Sequence, residues 1–203
     1  MVVEPTLLIA TTNVGKLREV RAVLEGAAVR LTSLADHPGI EEAIEDGETF
    51  EENARAKALH YAQLTGGWTL ADDSGLEVDA LDKQPGIHSA RYAGAGSDDG
   101  ANNAKLMAAL RGVPEHRRSA RFRCSVAFAN PDGVVATACG AVEGRIVDEP
   151  AGENGFGYDP HFFVPERGMT AAQMPPDLKN RISHRGQALM AIKPAIERVL
   201  LAD

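Results

Sequence analysis

The chain has 203 residues, 44% of them hydrophobic, with a formal net charge of −8, enough apolar material for a substantial core in one large domain or two small ones. Its acidic balance, with a pI near 5.3, works against broad contact with a polyanion, because a nucleic-acid surface calls for a basic face, whereas a small phosphorylated substrate needs only a few local cations. Cys124 and Cys139 lack metal-ligand spacing and suggest neither a disulfide scaffold nor a zinc site.

The opening residues lack the basic start and apolar stretch of a secretion signal, and no segment approaches the ~20 apolar residues of a membrane span. A cytoplasmic protein with no membrane and no nucleic-acid partner is expected. Leu7-Leu8-Ile9-Ala10 reads as a strand, Thr11-Thr12-Asn13 as a loop, and Leu17, Val20, Val23 and Leu24 as the apolar face of a helix. A polar, acidic loop runs from Ala35 to Gly47, after which Thr49 and Glu52 have the spacing of a capping box for a second helix. Trp68-Thr69-Leu70-Ala71 predicts a strand ending on Asp72 and Asp73. The Gly-, Ser-, Ala- and Asp-rich stretch from Lys83 to Gly100 reads as a long functional loop, followed by a helix from about Ala101 to Leu110. Arg121 to Ala129 and Val134 to Val142 are β-rich runs joined by the hairpin signal Asn130-Pro131-Asp132-Gly133, which makes the sheet mixed. After a strand at Phe162-Phe163-Val164, Ser183 is placed to cap a last helix with Leu189, Ile192, Ile196 and Val199 on its apolar face and Pro194 inside it. No repeat, low-complexity tract or linker divides the chain.

Several segments carry chemistry. Thr11-Thr12-Asn13-Val14-Gly15-Lys16 lies between a strand and a helix, where free backbone N–H groups and the helix end favour phosphate and Lys16 adds charge. It lacks the Gly-Lys-Ser/Thr ending of a P-loop, and an ordinary capped helix start has the same residues. Asp72-Asp73-Ser74-Gly75-Leu76 offers carboxylates to Mg²⁺, a hard cation that takes oxygen ligands; a solvated turn uses the same residue types. Neighbours on an extended segment point to opposite faces, so Asp73 is assigned the metal and Asp72 a supporting or water-orienting role. Glu45 can supply a second carboxylate to the metal, and Lys57, one helical turn from Asn53, can neutralise a phosphate. Arg91 sits in the glycine-bounded segment Pro85-Gly86-Ile87-His88-Ser89-Ala90-Arg91-Tyr92-Ala93-Gly94 and can reach a phosphate. Gly155-Phe156-Gly157-Tyr158-Asp159-Pro160 presents an aromatic for base stacking or, equally, a core aromatic at a tight turn. Lys179 with Ser183-His184-Arg185-Gly186 offers donors to a base edge or forms a solvated helix start.

Together, in this order, these segments resemble the non-canonical purine NTP pyrophosphatase family, also called inosine triphosphate pyrophosphatases. The resemblance runs from Ile9 to about Leu189 and is strongest in Ala71-Asp72-Asp73-Ser74-Gly75-Leu76, Pro85-Gly86-Ile87 with Ser89-Ala90-Arg91-Tyr92, Phe156-Gly157-Tyr158-Asp159-Pro160 and Ser183-His184-Arg185-Gly186. It implies one α/β domain over residues 1–203, elongated, with a mixed central sheet flanked by helices and an active-site cleft between two lobes, in a homodimer. It implies Mg²⁺-dependent hydrolysis of ITP, dITP and XTP to the monophosphate and pyrophosphate. By position, Thr11 through Lys16 face the triphosphate, Asp73 is the catalytic and metal-binding carboxylate with Glu45 as a second ligand, and Ser74 contacts substrate. Phe156, Gly157, Tyr158, Asp159, Lys179, His184 and Arg185 bind the nucleotide and its base.

Overall fold

The structure, a computed structural model, describes residues 4–201. In chain order it contains β1 (Thr6–Ile9), α1 (Val14–Val23), β2 (Arg30–Ser33), α2 (Phe50–Thr65), β3 (Trp68–Val78), α3 (Asp99–Ala109), β4 (Ser119–Asn130), β5 (Gly133–Ile146), β6 (Phe162–Val164), β7 (Met169–Thr170), α4 (Pro176–Ile182) and α5 (His184–Leu200). The strands form a seven-stranded sheet in the order β2-β1-β3-β4-β5-β6-β7. β1 pairs in parallel with β2 and β3, whereas β5-β6 and β6-β7 are antiparallel, so this is an α/β fold on a mixed sheet. Among the described residues, no helix is long and apolar enough to cross a membrane.

Two compact units share the chain: residues 4–73 with Cys124–Gly140 and 185–201, and Ser74–Arg123 with Ala141–His184. The chain passes from one to the other inside β3, β4 and β5 and at the start of α5, so no linker marks the boundary.

The first unit is a three-layer sandwich whose layers follow from strand alternation. On β1, Leu7 and Ile9 join Leu70, Cys124, Val126 and Phe128 on one face, packed under Val20 of α1, Leu24 at its C-cap, and Leu189, Ile192 and Ile196 of α5. Leu8 and Ala10 turn to the other face with Ala71, Ala127 and Ala129, under Ala54, Ala58, Tyr61 and Ala62 of α2. Each fully buried leucine or phenylalanine contributes about 1.5–3 kcal/mol; the alanines facing α2 contribute less individually but let that helix come close. The second unit packs Leu76, Val78, Phe122, Ile146, Tyr158, Phe162 and Val164 around Leu106 of α3 and Leu110 at its C-cap.

Most predicted elements appear within a few residues of their expected ends, with four differences. The strand at Trp68 does not stop at Asp72-Asp73: β3 continues to Val78, because Leu76 and Val78 restore the buried alternation beyond the polar residues. Gly75 is therefore a strand residue and no sharp turn occurs there. The stretch from Lys83 to Gly100 is partly ordered by a 3-10 helix over Gly86–Arg91, and α3 begins within it at Asp99. The capping box of α2 is half made: Thr49 Oγ1 accepts from Glu52 N, but the Glu52 carboxylate takes Glu48 N. Finally, three elements lack a sequence expectation: the short strands β2 and β7, and α4, which starts at Pro176 and closes on Ser183, immediately before α5.

Candidate active site

The first unit concentrates its charge where β3 carries Asp72 and Asp73. Strand parity decides their surroundings: Asp72 follows Leu70 onto the face covered by α1 and α5, and Asp73 follows Ala71 onto the face covered by α2. Both are buried. Asp72 Oδ2 accepts from Lys16 Nζ at 3.0 Å and Arg185 Nε at 3.1 Å. A second nitrogen of Arg185 pairs with Glu19, another buried carboxylate on α1. Burial penalises the Asp72 charge, but Lys16, Arg185 and Lys57 outweigh it and hold the carboxyl well below the usual carboxylate range.

Asp73 shifts the opposite way. Burial raises its pKa and the Glu45 charge adds to the rise, against the lowering pull of Lys16, Lys57 and a hydrogen bond from Asn53 Nδ2 at 3.0 Å. Asn53 cannot turn freely, because its Oδ1 accepts from Gly47 N at 2.9 Å. Only glycine fits at 47, since a Cβ there would lie 2.8 Å from Asn53 Oδ1. Asn53 thus ties the end of the acidic loop to Asp73. Lys57, one turn further along α2, donates to the Asp72 carbonyl at 3.1 Å and to Glu45 Oε1 at 2.8 Å. Its ammonium is favoured overall: burial opposes the charge, and Asp72 and Glu45 more than restore it.

The Thr11–Lys16 loop leads into this cluster. Asn13 caps α1 by accepting from Lys16 N at 3.0 Å, and Thr11 Oγ1 accepts from Asn13 N at 3.2 Å. Thr12, Asn13 and Val14 are exposed, while Thr11, Gly15 and Lys16 are half-buried.

The second unit holds a different cluster. A small, mostly apolar cavity is lined by residues that include Phe122, Phe162, Met174, Asp159, Lys179 and His184. The His184 ring stacks on Phe122, with centroids 4.9 Å apart and planes 16° apart. Lys179 Nζ meets Asp159 Oδ2 at 2.5 Å and lies 4.9 Å from the Phe156 ring centroid, within reach of a cation–π attraction. The same Asp159 oxygen accepts from Phe156 N at 2.9 Å. Gly155 must be glycine here: its φ is +82°, and a Cβ would fall 2.0 Å from Asp159 Oδ2.

Two expected base contacts are placed otherwise. Arg185, expected beside His184 as a donor to the base, is 1% exposed and directs its guanidinium at Asp72 and Glu19; successive helix residues point about 100° apart, so the neighbours serve different clusters. Tyr158 is a core residue whose hydroxyl donates to the Ser89 carbonyl at 2.8 Å, and burial pushes its phenol up. Ser74 is half-buried on β3, and Arg91 is exposed at the end of its 3-10 helix. Glu19 was missed altogether. Its spacing of three from Lys16 was the available signal, since it puts both on one face of α1.

A family model described as the Ham1 family matches residues 7–195. The chain is 53% identical over 187 residues to a Geobacter sulfurreducens protein named dITP/XTP pyrophosphatase, covering 92% of this chain and 94% of that one. It is 50% identical over 195 residues to a protein of the same name from Desulforamulus reducens, covering 96% and 97%. Among solved structures, a HAM1 protein from Coxiella burnetii is similar with a TM-score of 0.85 at 39% identity, covering 95% of this chain and 98% of that one. A nucleoside-triphosphatase / dITP/XTP pyrophosphatase from Mycobacterium abscessus gives 0.74 at 46% identity, covering 93% and 99%.

Proposed function

The chain belongs to the Ham1 family, and from that premise we propose that it hydrolyses ITP, dITP and XTP to the nucleoside monophosphate and pyrophosphate, clearing damaged purines from the nucleotide pool. The observation that carries the mechanism is the adjacent pair Asp72 and Asp73, whose carboxyl pKa values are driven in opposite directions. Neighbouring carboxyls pushed apart in this way divide into a fixed anion and a proton acceptor. Asp72 stays ionised and fixes Lys16. Asp73, on the opposite face of β3 and held by Asn53, takes a proton from the water that attacks the α-phosphorus; the new P–O bond forms as the bond to the leaving pyrophosphate breaks. Asn53 orients Asp73 for that step, and Lys16, Lys57 and Arg91 offset charge on the phosphates.

The donor set suits magnesium. Asp73 and Glu45 supply hard oxygen donors, and the burial and mutual repulsion that raise Asp73 are what a divalent cation would relieve. Two protein carboxylates would leave the rest of the Mg²⁺ shell to water and substrate phosphate. Bound there, Mg²⁺ would supply charge neutralisation of the triphosphate.

For the base, Phe156 offers its ring, and Lys179 and His184 offer donors to the 6-oxo group that inosine and xanthosine carry and adenosine lacks. Arg185 acts indirectly, by fixing Asp72. We place the enzyme in the cytoplasm as a homodimer acting on free nucleotides. The net charge of −8 supports a nucleotide over a polyanion as substrate.

The test is pyrophosphate release from ITP, dITP, XTP, GTP and ATP with Mg²⁺ and again in EDTA. Metal-dependent release confined to ITP, dITP and XTP is expected; release of single phosphate, or indifference to the base, would overturn the proposal.

A further inference from the structure

α3 contributes none of the substrate contacts proposed above, yet its first two turns grip the loop that carries Phe156 and Asp159. Gly157 N donates to Asp99 Oδ2 at 2.6 Å, and the Gly157 carbonyl accepts from Asn103 Nδ2 at 2.9 Å. Asn103 Nδ2 also donates to the Asp99 carbonyl at 2.9 Å, so the two side chains, one helical turn apart, act on Gly157 together. Both polar groups of one residue in an irregular loop are thus held by side chains more than fifty positions away in sequence. A loop end that needed only to be satisfied could use water; a donor and an acceptor supplied by one rigid helix fix its orientation as well.

We propose that Asp99 and Asn103 are specificity-positioning residues, which hold the Phe156–Asp159 loop so that the Phe156 ring and the Asp159–Lys179 pair meet the base of the substrate in one geometry. This rests on the nucleotide reading above and adds to it the source of the loop's order. Without the grip, only a fraction of the molecules present the loop correctly, and apparent affinity falls by that fraction. The residues proposed to face the phosphates, Lys16, Lys57 and Arg91, lie outside this loop, so turnover of bound substrate is spared. ATP, which gains little from the base readers, loses less than ITP.

Asp99→Ala removes the acceptor, Asp99→Asn retains a neutral one, and Asp98→Ala removes only the N-cap of α3, whose Oδ1 accepts from Ala101 N at 2.8 Å. Asp98→Ala therefore reports loss of helix stability without loss of the grip. For Asp99→Ala, KM for ITP should rise about tenfold, the loss of one charge-assisted hydrogen bond, with kcat within about twofold and the ITP-to-ATP preference reduced. Asp99→Asn should recover most of the KM, and Asp98→Ala should lower Tm but leave KM unchanged. Amide exchange at Phe156 and Gly157 should accelerate in Asp99→Ala and not in Asp98→Ala, a readout independent of turnover. Unchanged exchange and KM in Asp99→Ala, or equal effects of Asp98→Ala and Asp99→Ala, would overturn the proposal. Failure of the wild-type protein to prefer ITP over ATP would overturn the nucleotide reading instead, and the exchange result would still decide whether α3 orders the loop.

Discussion

Each unit buries a carboxylate against a cation, but the two do so on different scales. Asp72 in the first unit faces Lys16 and Arg185, with Glu19 behind the arginine, in a network drawn from α1, β3 and α5. Asp159 in the second unit has Lys179 and the Phe156 amide beside an apolar cavity. A network of several cations and carboxylates suits a site that must receive a polyphosphate and its counter-ion, whereas one well-placed polar pair in apolar surroundings suits a flat, uncharged base whose edge must be read. Residue type sets the chemistry of each cluster, and in the first unit strand parity sets which helices supply the partners of Asp72 and Asp73.

The largest expected effect tests whether Asp73 stands apart from these two holding carboxylates. Asp73→Asn should lower kcat for ITP by about 10³-fold, the worth of a general base, with the circular dichroism spectrum unchanged; pyrophosphate release measures it. A loss under tenfold would return Asp73 to the same class as Asp72.

Next come the cations. Arg185→Met leaves both Asp72 and Glu19 without their shared guanidinium, and breaking a buried pair costs about 3–5 kcal/mol. Lys179→Met strands only Asp159, which keeps the Phe156 amide. Urea unfolding should show the arginine variant to be the less stable of the two. Equal losses would mean that the larger network holds no more tightly than the single pair.

A smaller effect separates reading from holding in the second unit. His184→Ala should reduce the ITP-to-ATP preference by about tenfold, as loss of a hydrogen bond to the base, with the pyrophosphate-forming step retained at saturating ITP. Competition between the two nucleotides in one assay measures it, and an unchanged preference would restrict His184 to packing on Phe122.

The smallest effect is on pH and stability, and its sign differs between the two aspartates. Asp72 is lowered in the folded state, so its contribution is present above the unfolded aspartate range, near pH 4, and is lost as pH falls through its folded value. Asp73 is raised, so the stability it lends is complete below the unfolded value and is lost as pH rises through the folded one. Asp73→Asn should therefore melt above the wild type near neutral pH, with the gap closing at or below about pH 4. Thermal melts across that range check both signs together.

Much of this architecture was legible in the chain. Short apolar runs gave β1 and β6, Asn130-Pro131-Asp132-Gly133 gave the hairpin, and Thr49 gave the start of α2, because these signals act between residues a few positions apart. The separate fates of Asp72 and Asp73 were legible too, from the alternation of an extended segment. The end of β3 was misread because aspartate and glycine are turn residues by local preference, and burial of Leu76 and Val78 overrode that preference. Glu19 was invisible as a partner of Arg185 because they are 166 residues apart, and a sequence carries no distance between such positions. The grip of Asp99 and Asn103 on Gly157 was hidden in the same way. By itself, then, the sequence determined which side chains could do the chemistry and on which kinds of element they stand, since propensity, capping and alternation are local. Only the tertiary structure decided which charges meet, because helix packing onto the two faces of the sheet brings distant residues within hydrogen-bonding range, and the cations so gathered outweigh burial at Asp72 but not at Asp73.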